Sequence, residues 1–133
     1  MNKPDPFFSV VIPSYERPDD LEKCLKSLSN KNQYDAPSYE LIVTDDSHSE
    51  HCRFLVQNQF PLADWGKGKR NGPASNRNSG VDRASGKWIV FIDDDCIAQK
   101  GYLLAYLNAI EENPHVDLFE GYIFPDRPKR TWA

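Results

Sequence analysis

The residues of this chain best placed to do chemistry are Asp93, Asp94 and Asp95, which directly follow the apolar run Trp88-Ile89-Val90-Phe91-Ile92. Adjacent carboxylates repel one another, so ionising them together requires solvent or a cation. A hard divalent ion with oxygen ligands, Mg²⁺ or Mn²⁺, is the natural one. In an extended chain alternate side chains share a side, so Asp93 and Asp95 face one way and Asp94 the other. The outer pair then reads as an Asp-x-Asp clamp on a metal and, through it, on a phosphate. A solvated acidic turn would show the same triplet; the apolar run in front of it favours the site. Asp45 and Asp46 close a second apolar run, where a carboxylate can accept a hydrogen from a ring N–H or a ribose hydroxyl, or simply cap the next turn. Tyr15 can stack on a flat ring. The segment Gly72-Pro73-Ala74-Ser75-Asn76-Arg77-Asn78 joins a helix N-terminus to an arginine and two amides, a combination that suits an anion.

These groups need elements to position them. Phe7 to Ile12 reads as a first buried strand, closed by Pro13. Pro18 suits a first helical position, Asp19 and Asp20 suit the positive end of the dipole, and Leu21, Cys24, Leu25 and Leu28 form an apolar stripe at i, i+3, i+4 and i+7. Tyr39 to Thr44 is the second strand. Glu50 to Phe60 reads as a helix with Phe54, Leu55 and Phe60 partly buried. Pro61 to Gly72, with three glycines and Lys67, Lys69 and Arg70, reads as an exposed basic loop. A helix from Pro73 to about Ala84 should turn Ala74, Val81 and Ala84 inward. Trp88 to Ile92 has the unbroken pattern of a strand covered on both faces. Tyr102 to Asn113 is a last helix, with Leu103, Leu107 and Ile110 on one face and Leu104 beside them. Val116 to Phe124 reads as a further strand and Pro125 to Ala133 as a frayed tail. Alternating strands and helices imply an α/β domain with a mostly parallel sheet, its strand ends converging on one edge.

At 133 residues, 39% of them hydrophobic and 27% charged, the composition is that of one ordinary globular domain. A net charge of −4 speaks against general nucleic-acid binding. Cys24, Cys52 and Cys96 are odd in number and far apart, which fits neither a disulfide framework nor a zinc site and suggests a reducing compartment. The polar start and the lack of a long apolar run predict neither a signal peptide nor a transmembrane segment. Gly80 to Lys87 imitates a P-loop, but its glycines are one residue too far apart and Trp88 stands where Ser or Thr should hold a metal. His48, His51 and Cys52 lack a fourth zinc ligand.

The segments Val10 to Pro18, Glu40 to Ser47, Gly72 to Gly80 and Phe91 to Cys96 occur in that order. Together they resemble the nucleotide-binding half of a family 2 glycosyltransferase with the GT-A fold, and the resemblance covers Phe7 to Tyr122. It implies a single GT-A-type domain over residues 1–133, a Rossmann-like sandwich with an incomplete, mostly parallel sheet. It further implies an inverting transferase that uses a nucleotide-diphosphate sugar, often a uridine one, and Mn²⁺ or Mg²⁺. By position, Pro13 and Tyr15 line the base pocket, and Asp45 accepts from the base with Asp46 beside it. Arg77, followed by Asn78, lies near the base or the diphosphate. Asp93 faces the ribose and sugar and shares the metal with Asp95, its main ligand, with Asp94 between them. Glu16 takes a nucleotide-site position where the family usually has Asn.

Inversion also needs a base, which the family carries in the second half of the domain, so the base is expected beyond Ala133. Glu111, Glu112, Glu120 and Asp126 match no such motif. The expectation is therefore a donor-binding half, either excised from a larger enzyme, a truncated gene product, or one part of a larger enzyme, that associates with an acceptor half or with itself. The acceptor would be a glycan, a lipid-linked sugar or a protein. Polysaccharide biosynthesis in the cytoplasm, or at the inner face of the membrane, is the family setting. The competing reading is a non-catalytic nucleotide-sugar-binding or interaction module. A phosphoryl-transfer enzyme is disfavoured because no Walker lysine is present.

Overall fold

The computed structural model describes residues 4–125. Within them lie β1 (Phe8–Ser14), α1 (Pro18–Ser27), β2 (Tyr39–Asp45), α2 (His51–Gln59), β3 (Ala63–Lys67), α3 (Pro73–Asp82), β4 (Trp88–Phe91) and α4 (Tyr102–Glu112). The four strands form one parallel sheet in the order β3-β2-β1-β4. β1 is central and every one of its residues is buried. Alternation along it divides the core between two layers. Phe8, Val10 and Ile12 face the cluster built from Leu21, Cys24, Leu25 and Leu28, with Cys52 and Val56 of α2 and Leu103 of α4. Val11 points the other way, toward α3. The stripe read from α1 is thus fully buried, as its spacing requires.

α3 packs on its face of the sheet without an apolar stripe. The residues it buries are Asn76 and Gly80, not Ala74, which is exposed, and Val81 and Ala84 are only half-buried. Asn76 and Gly80 are four apart and share a side. A Cβ at Gly80 would collide with the Val11 side chain, so the glycine lets the helix lie directly against β1.

Four further expectations are corrected. The basic loop expected over residues 61–72 contains β3, which pairs with β2 from Leu41↔Ala63 to Asp45↔Lys67. Its glycine and charged residues hide the pattern, because an edge strand covered on one face needs few apolar side chains. β4 is likewise an edge strand, only partly covered, with Phe91 48% exposed. Residues 116–124 form no strand; Phe119 packs on Trp88 at 5.8 Å between centroids, while Leu118, Tyr122 and Ile123 are exposed. Helix α2 forms where expected but buries Cys52 and Val56, with Leu55 and Phe60 half-buried and Phe54 exposed. The tail expected from Pro125 lies, after its first residue, outside the described residues.

Glu40 locks the far edge of this sheet. Its carboxylate accepts from Ser9 Oγ at 2.6 Å, Ser85 N at 2.8 Å and Ser85 Oγ at 3.1 Å. Burial pushes its acidity down, but these three donors outweigh that and hold the pKa below the ordinary glutamate value. A lowered folded-state pKa gives stability that is complete above the unfolded pKa and is lost as pH falls through the folded one. Glu40→Gln should therefore melt below the parent at pH 7, and the gap should close below roughly pH 4; circular dichroism melts across that range measure it.

Candidate functional site

The carboxyl ends of β1, β2 and β4 open onto a cleft of about 560 Å³. Pro13, Ser14, Tyr15 and Arg17 line it from the first loop and Asp46 and His48 from the second. Arg70, Gly72, Pro73, Asn76 and Arg77 come from the approach to α3 and its first turns, and Asp93, Asp94 and Asp95 from the end of β4. This is the edge where open parallel sheets present ligands. Gly72 precedes α3 with φ of 95°, a conformation that glycine adopts without strain, and so brings the helix N-terminus to the cleft wall.

The acidic triplet lies beyond the end of β4, in a turn that Cys96 N closes by donating to Asp93 O at 3.0 Å, so the extended alternation expected of it does not apply and the turn sets which way each acid points. Asp94 is buried, accepting from Ser14 Oγ at 3.2 Å and from Tyr15 N at 3.4 Å, with Arg17 Nη1 at 3.6 Å. Burial pushes its pKa up, against the pull of the Arg17 guanidinium and the two hydrogen bonds. Asp93 and Asp95 are half-exposed at the cleft. Arg77 Nη2 donates to Asp93 Oδ1 at 2.8 Å and Arg17 Nη1 to Asp95 Oδ2 at 3.1 Å. Among the described residues no three His, Cys, Asp or Glu side chains converge as a ready-made metal cage. Two outward carboxylates at an anion-suited helix end fit a different arrangement. Mg²⁺ and its analogues are commonly held by one or two carboxylates, with substrate phosphates and waters completing the shell.

Asp46 sits on the cleft wall, its Oδ1 accepting from Arg70 N at 3.0 Å and its own N–H donating to Ser14 O at 2.9 Å. Asp45 does not reach the cleft. It is buried, and its carboxylate is taken by Ser47 N at 2.9 Å and Trp65 Nε1 at 3.0 Å. With both oxygens engaged it anchors β3 to β2, and the neighbouring carboxylate is the one a ligand would meet. Glu16 also lies off the cleft wall. Its carboxylate accepts from Ser49 Oγ at 2.6 Å and Ser49 N at 3.1 Å, while its own N–H reaches Ser47 Oγ at 2.7 Å. It ties the Tyr15 loop to the His48 loop, whose rings meet edge-on at 6.3 Å. These hydrogen bonds, led by the Ser49 hydroxyl, lower its pKa.

Glu16 has φ of 53°, which a β-branched residue tolerates badly and Asn tolerates well. Glu16→Val should accordingly lower the melting temperature and Glu16→Asn should not, as differential scanning fluorimetry would report. Asn78 is exposed on the outer side of α3, about 200° around the helix from Asn76. Asn76 is the amide that matters. It is buried, its Nδ2 donates to Thr44 O at 2.9 Å and Ser14 O at 3.4 Å, and its Oδ1 accepts from Thr44 Oγ1 at 2.7 Å. One side chain thus fastens the ends of β1 and β2 to α3. Arg17, His48, Arg70 and Asn76 received no site role of their own from the sequence, where Asn76 stands only as one of two amides beside Arg77, His48 only as a rejected zinc ligand and Arg70 only within a basic loop. The Asn76–Gly80 spacing was the available signal, since it puts a polar and a small residue on one helix face.

An open parallel sheet with a cleft and paired acids at its strand ends is the arrangement of the GT-A glycosyltransferase fold. Residues 9–133 match the family model of glycosyl transferase family 2, and the chain belongs to that family. Among curated relatives, the GalNAc(5)-diNAcBac-PP-undecaprenol beta-1,3-glucosyltransferase of Campylobacter jejuni is 34% identical over 112 residues, covering 80% of this chain and 35% of that enzyme. Of solved structures, S. aureus TarS 1–349 in complex with UDP-GlcNAc aligns with a TM-score of 0.67 at 26% identity, over 80% of this chain and 32% of that one. The mannosyltransferase PcManGT from Pyrobaculum calidifontis, in complex with GDP-Man and Mn²⁺, aligns with a TM-score of 0.62 at 25% identity, over 76% of this chain and 31% of that one. The chain spans about a third of the length of these relatives.

Proposed function

We propose that this chain forms the donor-binding part of an inverting glycosyltransferase that moves a sugar from a nucleotide-diphosphate sugar, most simply a UDP-sugar, to an acceptor hydroxyl. The observation that carries this reading is the pairing, across one cleft, of the outward carboxylates Asp93 and Asp95 with the N-terminus of α3 and Arg77. Kinship with glycosyltransferases, and with a neighbour solved with UDP-GlcNAc, supports it.

In this reading Tyr15 and His48 flank the base and Asp46 accepts from it. Asp93 and Asp95 are the residues that would hold Mn²⁺ or Mg²⁺, and Arg77 with the α3 N-terminus receives diphosphate oxygens. When bound, the cation stabilises the charge that gathers on the leaving diphosphate as the glycosidic bond breaks. Asp94, turned inward, sets the distance between its two neighbours by holding Ser14 and Tyr15.

Inversion requires a general base on the far face of the sugar. The cleft's carboxylates are Asp46 and the Asp93 to Asp95 triplet, and each is already engaged by an N–H, a hydroxyl or a guanidinium. That observation keeps a second reading in view, a module that binds nucleotide sugar without transferring it. The test is a transfer assay with radiolabelled UDP-sugars and a panel of glycan, lipid-linked and peptide acceptors. Label appearing in an acceptor supports the transferase. Tight, metal-dependent donor binding with no transfer to any acceptor favours the module, and absence of donor binding removes both.

A further inference from the structure

Arg17 is a cation of the cleft to which the donor-binding reading gives no task. It ends the loop after β1, and its Nη1 lies 3.1 Å from Asp95 Oδ2 and 3.6 Å from Asp94 Oδ1. Its guanidinium is half-exposed and makes no other side-chain hydrogen bond among the described residues. Across the cleft Arg77 holds Asp93 in the same manner at 2.8 Å. Each outward carboxylate is therefore matched to one guanidinium.

This matching sets a condition on whatever binds. A divalent cation arriving alone must take carboxylates away from their arginines, leaving two guanidiniums unpaired and facing a like charge. A diphosphate arriving alone meets carboxylates that already occupy the arginines and repel it. When both arrive together every charge finds an opposite: carboxylates turn to the cation, and the guanidinium forks turn to phosphate oxygens, which they suit geometrically.

We infer that Arg17 is an exchange residue: it pairs with Asp95 when the carboxylates hold no cation and transfers to the diphosphate when cation and nucleotide bind, so that each ligand's affinity depends on the other. The inference rests on the nucleotide-sugar reading above. Linkage makes the dependence reciprocal, since whatever factor the nucleotide adds to cation affinity the cation adds to nucleotide affinity. An inert surface ion pair at this position would contribute little to either binding step.

Arg17→Gln tests it, with Mn²⁺ binding followed by the electron paramagnetic resonance of the free ion, first without nucleotide and then with saturating UDP. The substitution spares the fold, because Arg17 caps α1 through its backbone carbonyl, which accepts from Leu21 N at 2.9 Å. Mn²⁺ alone should bind about threefold more tightly to the variant, the modest gain expected from releasing a half-exposed pair. With UDP present, Mn²⁺ should bind about tenfold more weakly, because a charge-assisted bond to the diphosphate is lost. Shifts of opposite sign in the two arms support the exchange. Mn²⁺ affinity unchanged or lowered without UDP, or shifts of the same sign in both arms, overturns it even if the parent binds UDP as proposed. A parent that shows no UDP-dependent gain in Mn²⁺ affinity overturns the nucleotide reading and the exchange together.

Discussion

Asp95→Ala is expected to abolish the gain in UDP affinity that Mn²⁺ gives the parent protein, while leaving the fold in place. The side chain stands half-exposed, and its bonds are one to Arg17 at 3.1 Å and a weak one from Cys96 Sγ at 3.9 Å. An exposed pair of this kind contributes at most about 1 kcal/mol, so the melting temperature should stay near that of the parent. The effect on binding is far larger. A hard cation held by two carboxylates and the ligand's own oxygens loses half of its protein donors, and even the loss of an outer-shell partner commonly costs 10–100-fold, so roughly a hundredfold or more is expected here. Titration of the variant with UDP, with and without Mn²⁺, measures it. A variant that retains the parent's Mn²⁺-dependent gain shows that Asp95 is not a ligand.

The second large effect falls on stability. Asn76→Ala removes the amide that joins Thr44 and Ser14 to α3 in a fully buried setting. It leaves the Thr44 hydroxyl without its acceptor and two strand-end carbonyls without this donor. A buried polar group stripped of its partner costs about 1–3 kcal/mol, so the total should be about 2–4 kcal/mol, with nucleotide binding weakened because the cleft floor loosens. Asn76→Asp should do no better, since it turns an anionic oxygen toward the same two carbonyls. Asn78→Ala, on the exposed side of the helix, should stay within about 0.5 kcal/mol of the parent. Urea unfolding of the three variants distinguishes them. Equal midpoints for Asn76→Ala and Asn78→Ala would show that the Asn76 amide does not hold the cleft floor.

Much of this is legible in the sequence. The stripe Leu21, Cys24, Leu25, Leu28 declared a helix on a sheet because four apolar residues at that spacing have only one use. The run Phe7 to Ile12 declared the central strand, whereas the inward direction of Asp94 comes from the turn that Cys96 N closes on Asp93 O and not from strand alternation. What stayed hidden had physical causes. β3 is an edge strand whose single covered face leaves no periodic trace among glycines and charges. Strand residues 116–124 were expected from their apolar character, but strand formation needs a paired neighbour, and among the described residues β4 pairs only with β1. Asp45 and Asp46 are both acids at one strand end, and sequence alone does not say which faces Trp65 and which faces the cleft. Asn76 and Asn78 read alike in the sequence except for the spacing of Asn76 from Gly80, whose meaning is that the helix presses Gly80 against Val11.

The central claim is that outward acids at the end of β4 hold a cation that in turn holds a nucleotide diphosphate. Its most direct test is titration calorimetry of the unaltered protein with UDP, once in Mn²⁺ and once in a chelator. Binding should be about tenfold or more tighter in Mn²⁺, the size of an ordinary coupling between two sites. Equal affinity in the two buffers, or no binding in either, contradicts it.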